Sequence, residues 1–83
     1  MKLETKRFII ENEERQGYTA ISKETNKKYI LTYNYSLGRK LKTDIICIFE
    51  ITEDYDFIFV DYVFGEEDIT IEEVGNIVEY YVK

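Results

Sequence analysis

Apolar and polar residues alternate with a period of two along much of the chain and change to a spacing of three and four only near its end. Residues 28 to 35 alternate most cleanly. Tyr29, Leu31, Tyr33 and Tyr35 fall on one side and Lys28, Ile30, Thr32 and Asn34 on the other, as in a half-buried strand. In residues 44 to 52 and 57 to 64 both sides are largely apolar. Ile45, Cys47, Phe49 and Ile51 alternate with Ile46 and Ile48, and Ile58, Val60, Tyr62 and Phe64 with Phe57, Phe59 and Val63. Strands covered on both faces read this way, so the pattern puts these two at the centre of a sheet, joined as a hairpin through Glu53-Asp54-Tyr55-Asp56. Residues 3 to 11 and 18 to 23 have a mixed polarity that suits edge strands or an exposed hairpin. Polar stretches, several carrying Gly or Asn, separate these segments and mark the turns.

The C-terminal stretch reads as a helix. Thr70-Ile71-Glu72-Glu73 fits a capping box, with Ile69 and Val74 spaced for a hydrophobic staple. Ile71, Val74, Ile77, Val78, Tyr81 and Val82 then form one apolar stripe, which must lie on the sheet. Gly75 interrupts this helix at a cost of about 1 kcal/mol relative to Ala, which a close approach of helix to sheet would explain. The expected fold is α+β: an antiparallel sheet of about five strands with the C-terminal helix packed on one face. At 83 residues the chain is one domain, 1–83, with too few apolar residues to line a deep pocket as well as a core.

Composition supports folding, with 45% hydrophobic and 16% aromatic residues, and narrows the chemistry. There is no His, which excludes Ser-His and Cys-His nucleophiles and removes the commonest metal ligand and general base. No phosphate-cradling glycine motif occurs among the four glycines. The single cysteine, Cys47, sits among Ile and Phe and reads as a small buried hydrophobe, not as a nucleophile. Glu53, Asp54 and Asp56 do not continue into a calcium loop, because Ile58 and Phe59 stand where Asp or Asn and Gly are needed. No catalytic, cofactor-binding or metal-ligating residue is expected, and the chain reads as a non-enzyme. The lone cysteine and the lack of an apolar leader or membrane span point to the cytoplasm.

Charge is the feature that points to a function. Residues 1 to 43 carry ten Lys or Arg and five Asp or Glu, whereas residues 44 to 83 carry one Lys and twelve acids, for a net charge of −6 overall. Cross-strand pairing can neutralise only part of that acid, so an acidic surface must remain. Such a surface suits a basic partner protein, such as a nucleic-acid-binding protein or nuclease, with Asp54, Asp56, Glu66, Glu67, Asp68, Glu72 and Glu79 as the contact residues. Small acidic domains of this kind include nucleic-acid mimics, toxin-neutralising immunity proteins and phage-encoded inhibitors of bacterial defence such as anti-CRISPR proteins. The chain resembles them in size, charge and the residue usage of an AT-rich coding sequence, without a motif of any one family. An alternative is a single-stranded nucleic-acid platform built on Tyr33 and Tyr35, with Tyr29 beside them and Lys40 and Lys42 at the rim. The net negative charge opposes it, so neither direct nucleic-acid binding nor membrane binding is expected; self-association is compatible with the sequence.

Overall fold

A computed structural model describes residues 2–13, 17–34, 39–40, 44–65 and 69–83. Among the described residues six strands, β1 (Lys2–Glu4), β2 (Phe8–Glu13), β3 (Gly17–Ser22), β4 (Lys28–Tyr33), β5 (Ile45–Ile51) and β6 (Phe57–Phe64), precede the C-terminal helix, α1 (Ile71–Tyr81). Every strand pairs antiparallel with its sequence neighbour, so the sheet runs β1-β2-β3-β4-β5-β6 without a crossover. This is the expected α+β architecture with one strand more. The extra strand comes from residues 3 to 11, which break at Thr5. The Thr5 hydroxyl accepts the Phe8 N–H (3.0 Å) while the Thr5 N–H donates to the Phe8 carbonyl (2.8 Å), closing a tight turn that leaves Lys6 and Arg7 at its tip.

Strand placement differs from the expectation in one important respect. β2 and β3, expected at an edge, lie inside the sheet, and β6, expected at its centre, is the far edge. Apolar residues on both sides of β6 therefore do not mark a strand covered on both faces. Phe57, Ile58, Phe59, Tyr62 and Phe64 are all exposed.

Residues paired across strands share a face, which separates the sheet's two sides. On one side Phe8, Ile10, Ala20, Tyr29, Leu31, Ile46, Ile48 and Val63 form the core with Ile71, Val74, Val78 and Val82 of the helical segment. The helix lies over β1, β2 and β3. Its start is as expected: the Thr70 hydroxyl accepts the Glu73 N–H at 3.2 Å. The Glu73 carboxylate closes the box on the Thr70 hydroxyl, also at 3.2 Å, and not on the backbone amide. At Gly75 an added Cβ would come within 3.1 Å of Thr5 Cγ2 and 3.2 Å of Leu3 Cδ2, the close approach that the glycine suggests.

Candidate protein-binding face

The second side of the sheet carries Ile9, Ile21, Ile30, Ile45, Cys47, Phe49 and Ile51 by the same pairing rule, together with part of β6. Which part is decided by an irregularity. Ile48 pairs with Asp61 and Phe49 with Phe59, so Val60 is an extra residue in the β6 ladder. Strict alternation would divide the β6 aromatics between the two faces, with Phe57 and Phe59 on one and Tyr62 and Phe64 on the other. The bulge shifts the phase by one residue, pairing Phe57 with Ile51, Phe59 with Phe49, Tyr62 with Cys47 and Phe64 with Ile45. All four rings thus fall on the face opposite the helix, while Val60 turns to the core.

These rings form a partly ordered row. Phe49 stacks edge-on with Phe59 (ring centroids 5.9 Å apart) and lies 6.1 Å from Phe57; Tyr62 and Phe64 are edge-to-face at 6.0 Å. Phe57, Phe59, Tyr62 and Phe64 remain 61, 55, 45 and 65% exposed. With a full aromatic side chain presenting about 150–250 Å², the row leaves on the order of 400 Å² of apolar surface open, comparable to the largest patch on a typical monomer. A standard protein interface takes about 800 Å² from each partner, so the row would fill the middle of one and its polar surroundings the rest.

Those surroundings are mainly acidic. At one end of β6 the hairpin turn exposes Glu53, Asp54 and Asp56; at the other, Asp44 is exposed, with its carbonyl accepting the Gly65 N–H at 3.0 Å. Asp61 stands on the strand between them, paired with Ile48 and so on the helix side of the sheet. The described ion pairs that reach the second half of the chain are Lys27–Glu50 (3.5 Å) and Arg7–Glu79 (2.8 Å). Asp44, Asp54, Asp56, Asp61 and Glu72 therefore have no basic partner among the described residues. Lys27 and Lys28 approach the hairpin end across an open cleft of about 590 Å³ between the Thr25–Lys28 and Glu50–Tyr55 turns.

Tyr55, at the hairpin tip, is 85% exposed and has a φ of 63°. Thr52 holds the turn, its carbonyl accepting the Tyr55 N–H (2.9 Å) and its hydroxyl the Asp56 N–H (3.0 Å). The left-handed position that follows such a turn is ordinarily Gly or Asn, as Asn26 is at the β3–β4 turn with the same φ. A large aromatic is thus held at the tip against its backbone preference.

Of the residues proposed from the sequence, Asp54 and Asp56 sit at this hairpin tip and Glu72 is exposed on α1, on the helix side of the sheet. Glu66, Glu67 and Asp68 lie outside the described residues. Glu79 is a correction. Its carboxylate turns toward the β1–β2 turn, accepting from the Thr5 hydroxyl (2.7 Å), the Arg7 N–H (2.8 Å) and Arg7 Nε (2.8 Å), so it is occupied internally. The acids therefore do not make one continuous face. The tyrosine platform is also dispersed: Tyr29 is buried in the core, Tyr33 is half-buried against it, and Tyr35 and Lys42 lie outside the described residues. Cys47 is buried. Among the described residues no group of His, Cys, Asp and Glu is arranged to hold a metal ion, and no helix is long and apolar enough to cross a membrane. No family model matches the chain, and comparison with curated proteins and with solved structures finds no significant similarity.

Proposed function

We propose that this chain is a non-enzymatic protein-binding module, of the inhibitor or nucleic-acid-mimic type, that engages a basic protein through the outer face of the β5–β6 hairpin. The observation that carries the reading is the exposed row Phe57, Phe59, Tyr62 and Phe64 on an edge strand. A chain this small needs most of its large apolar residues for its core, so four rings left open on one strand call for a use. The acids around the row define the partner. Asp54 and Asp56 at the tip, Asp44 at the opposite end and Asp61 on the other side of the same edge strand favour a surface of Lys and Arg around an apolar centre, as a nucleic-acid-binding protein presents. The same acids disfavour use of the rings as a stacking platform for single-stranded nucleic acid, whose phosphates they would repel.

The test is affinity capture with the immobilised chain, repeated with Phe57→Thr/Phe64→Thr and with Asp54→Lys/Asp56→Lys. A basic protein retained by the unaltered chain, lost with the aromatic pair and weakened by charge reversal or salt supports the reading. Retention that is indifferent to all three variables, or tight binding of labelled single-stranded DNA or RNA at low salt, rules it out.

A further inference from the structure

The aromatic row also lies along an unpaired strand edge, and the two sheet edges are built differently. β1 is three residues long and places Lys2 and Glu4 on either side of Leu3, the short charged form that discourages pairing. β6 is eight residues long, the longest strand, and among the described residues no strand pairs with its outer side. Hydrogen bonds in an antiparallel ladder alternate in direction. The bonds Thr52 N–H to the Asp56 carbonyl (2.9 Å) and Gly65 N–H to the Asp44 carbonyl (3.0 Å) fix that alternation at both ends of the β5–β6 ladder. With the bulge at Val60, it turns the backbone N–H and C=O groups of Phe57, Phe59, Tyr62 and Phe64 outward. The Tyr62 N–H is consistent with this, donating to its neighbour's carboxylate, Asp61 Oδ1, at 2.7 Å and not to β5.

We infer that β6 is a docking edge for an extended basic segment of the partner, which adds to the sheet as a seventh strand. This rests on the protein-binding reading above and specifies its mode. Backbone bonds to the four outward residues would supply affinity, and alternate apolar side chains of the incoming strand would extend the aromatic row on the face away from the helix. The intervening side chains would fall on the Asp61 side, where Lys or Arg meets a carboxylate that has no basic partner among the described residues. Asp61 then acts twice: it occupies the Tyr62 N–H against an unselective strand, and it rewards a cationic one. A second copy of this chain fits poorly. Antiparallel pairing of β6 with itself would bring the two Asp61 carboxylates close together near the strand centre.

The experiment uses a blocked octapeptide alternating Lys with Val and Ile, titrated into the full chain and followed by amide NMR. Saturable binding with slowed exchange of the Phe57, Phe59, Tyr62 and Phe64 N–H groups is expected. N-methylation of alternate peptide residues should abolish binding in one frame and spare it in the other, because only one set of amides faces the β6 edge. A Glu-for-Lys peptide should not bind, and Asp61→Asn should weaken the Lys peptide by about two- to fivefold, the range of one exposed charge pair. Equal binding of both N-methylated frames would place the peptide on the face and not the edge, overturning strand addition while leaving a protein-binding role intact. Failure of the Lys peptide to bind, equal binding of a scrambled peptide, or dimerisation through protected β6 amides would each overturn it as well.

Discussion

Arg7 caps a helix from which it is separated by most of the chain, and Glu79 holds it there. The guanidinium donates from Nε to Glu79 Oε2 at 2.8 Å and from one Nη to the carbonyls of Glu79 and Val82, both at 2.7 Å. The last turn of α1 carries no basic residue, so the cation that suits a helix C-terminus is supplied by the β1–β2 turn. Two carbonyls left over by the helix are satisfied, and the sheet's first hairpin is tied to the chain's last turn.

This clamp predicts an acid transition. Partial burial alone would raise the Glu79 pKa, but the bonds from the Arg7 and Thr5 side chains, the Arg7 amide and the Arg7 charge outweigh it and hold the group at about 2, against 4.5 ordinarily. A carboxylate with a depressed folded pKa stabilises fully above its unfolded pKa and loses that contribution as pH falls toward the folded one. Urea denaturation from pH 6 to about pH 2 should therefore show stability falling below roughly pH 5. Glu79→Gln should cost about 1–2 kcal/mol at neutral pH, a figure reduced for partial solvent exposure, and should flatten that fall.

Gly17 opens β3 with a φ of 95°, and an added Cβ would run into the Leu31 carbonyl oxygen on β4. Both the dihedral and the neighbouring backbone exclude a side chain. Gly17→Ala is expected to destabilise the fold by more than about 2 kcal/mol, read from the chemical denaturation midpoint. Thr70→Ala, which removes the cap hydroxyl from both the Glu73 N–H and the Glu73 carboxylate, should cost about 1 kcal/mol in the same measurement.

The helix was legible because its signals are local: a cap, a staple and a stripe each span a few residues. The position of strands was less so. Apolar residues on both sides of a segment mean coverage only if something covers them, and the pattern of Phe57 to Phe64 is the same in a central strand and in an edge strand with open aromatics. The Val60 bulge was invisible for a related reason, since a period-two reading assumes an unbroken ladder and divides the aromatics that the bulge gathers. The break at Thr5 rests on one hydroxyl bonding one amide three residues on, which spacing alone does not distinguish from an edge strand. Glu79 read as surface acid because its partner, Arg7, lies 72 positions away.

Tyr55 should trade stability for contact. Replacing it by Gly or Asn removes the penalty of a left-handed backbone and should raise stability by about 1 kcal/mol in thermal or urea unfolding. Its ring, exposed at the tip beside Asp54 and Asp56, is placed to meet the partner first, so the same variant should bind more weakly. A variant that gains stability and keeps full affinity would exclude Tyr55 from the interface.

The aromatic row and the acids should fail differently when removed. Phe57 and Phe64 are the most exposed rings on β6, so Phe57→Thr and Phe64→Thr, which keep strand preference, should change stability by less than about 1 kcal/mol. Their area is desolvated only once the complex has formed, so the loss should appear in the dissociation rate. Asp54 and Asp56 project from the tip and act on the approaching partner before contact. Reversing them to Lys should slow association and flatten its salt dependence, while the dissociation rate changes little. Surface plasmon resonance across a salt series separates the two effects. If the aromatic substitutions altered association and the charge reversals altered dissociation, the contact would be centred on the acidic tip and the row would be peripheral to it. If neither pair altered either rate, the β5–β6 face would not be the interface.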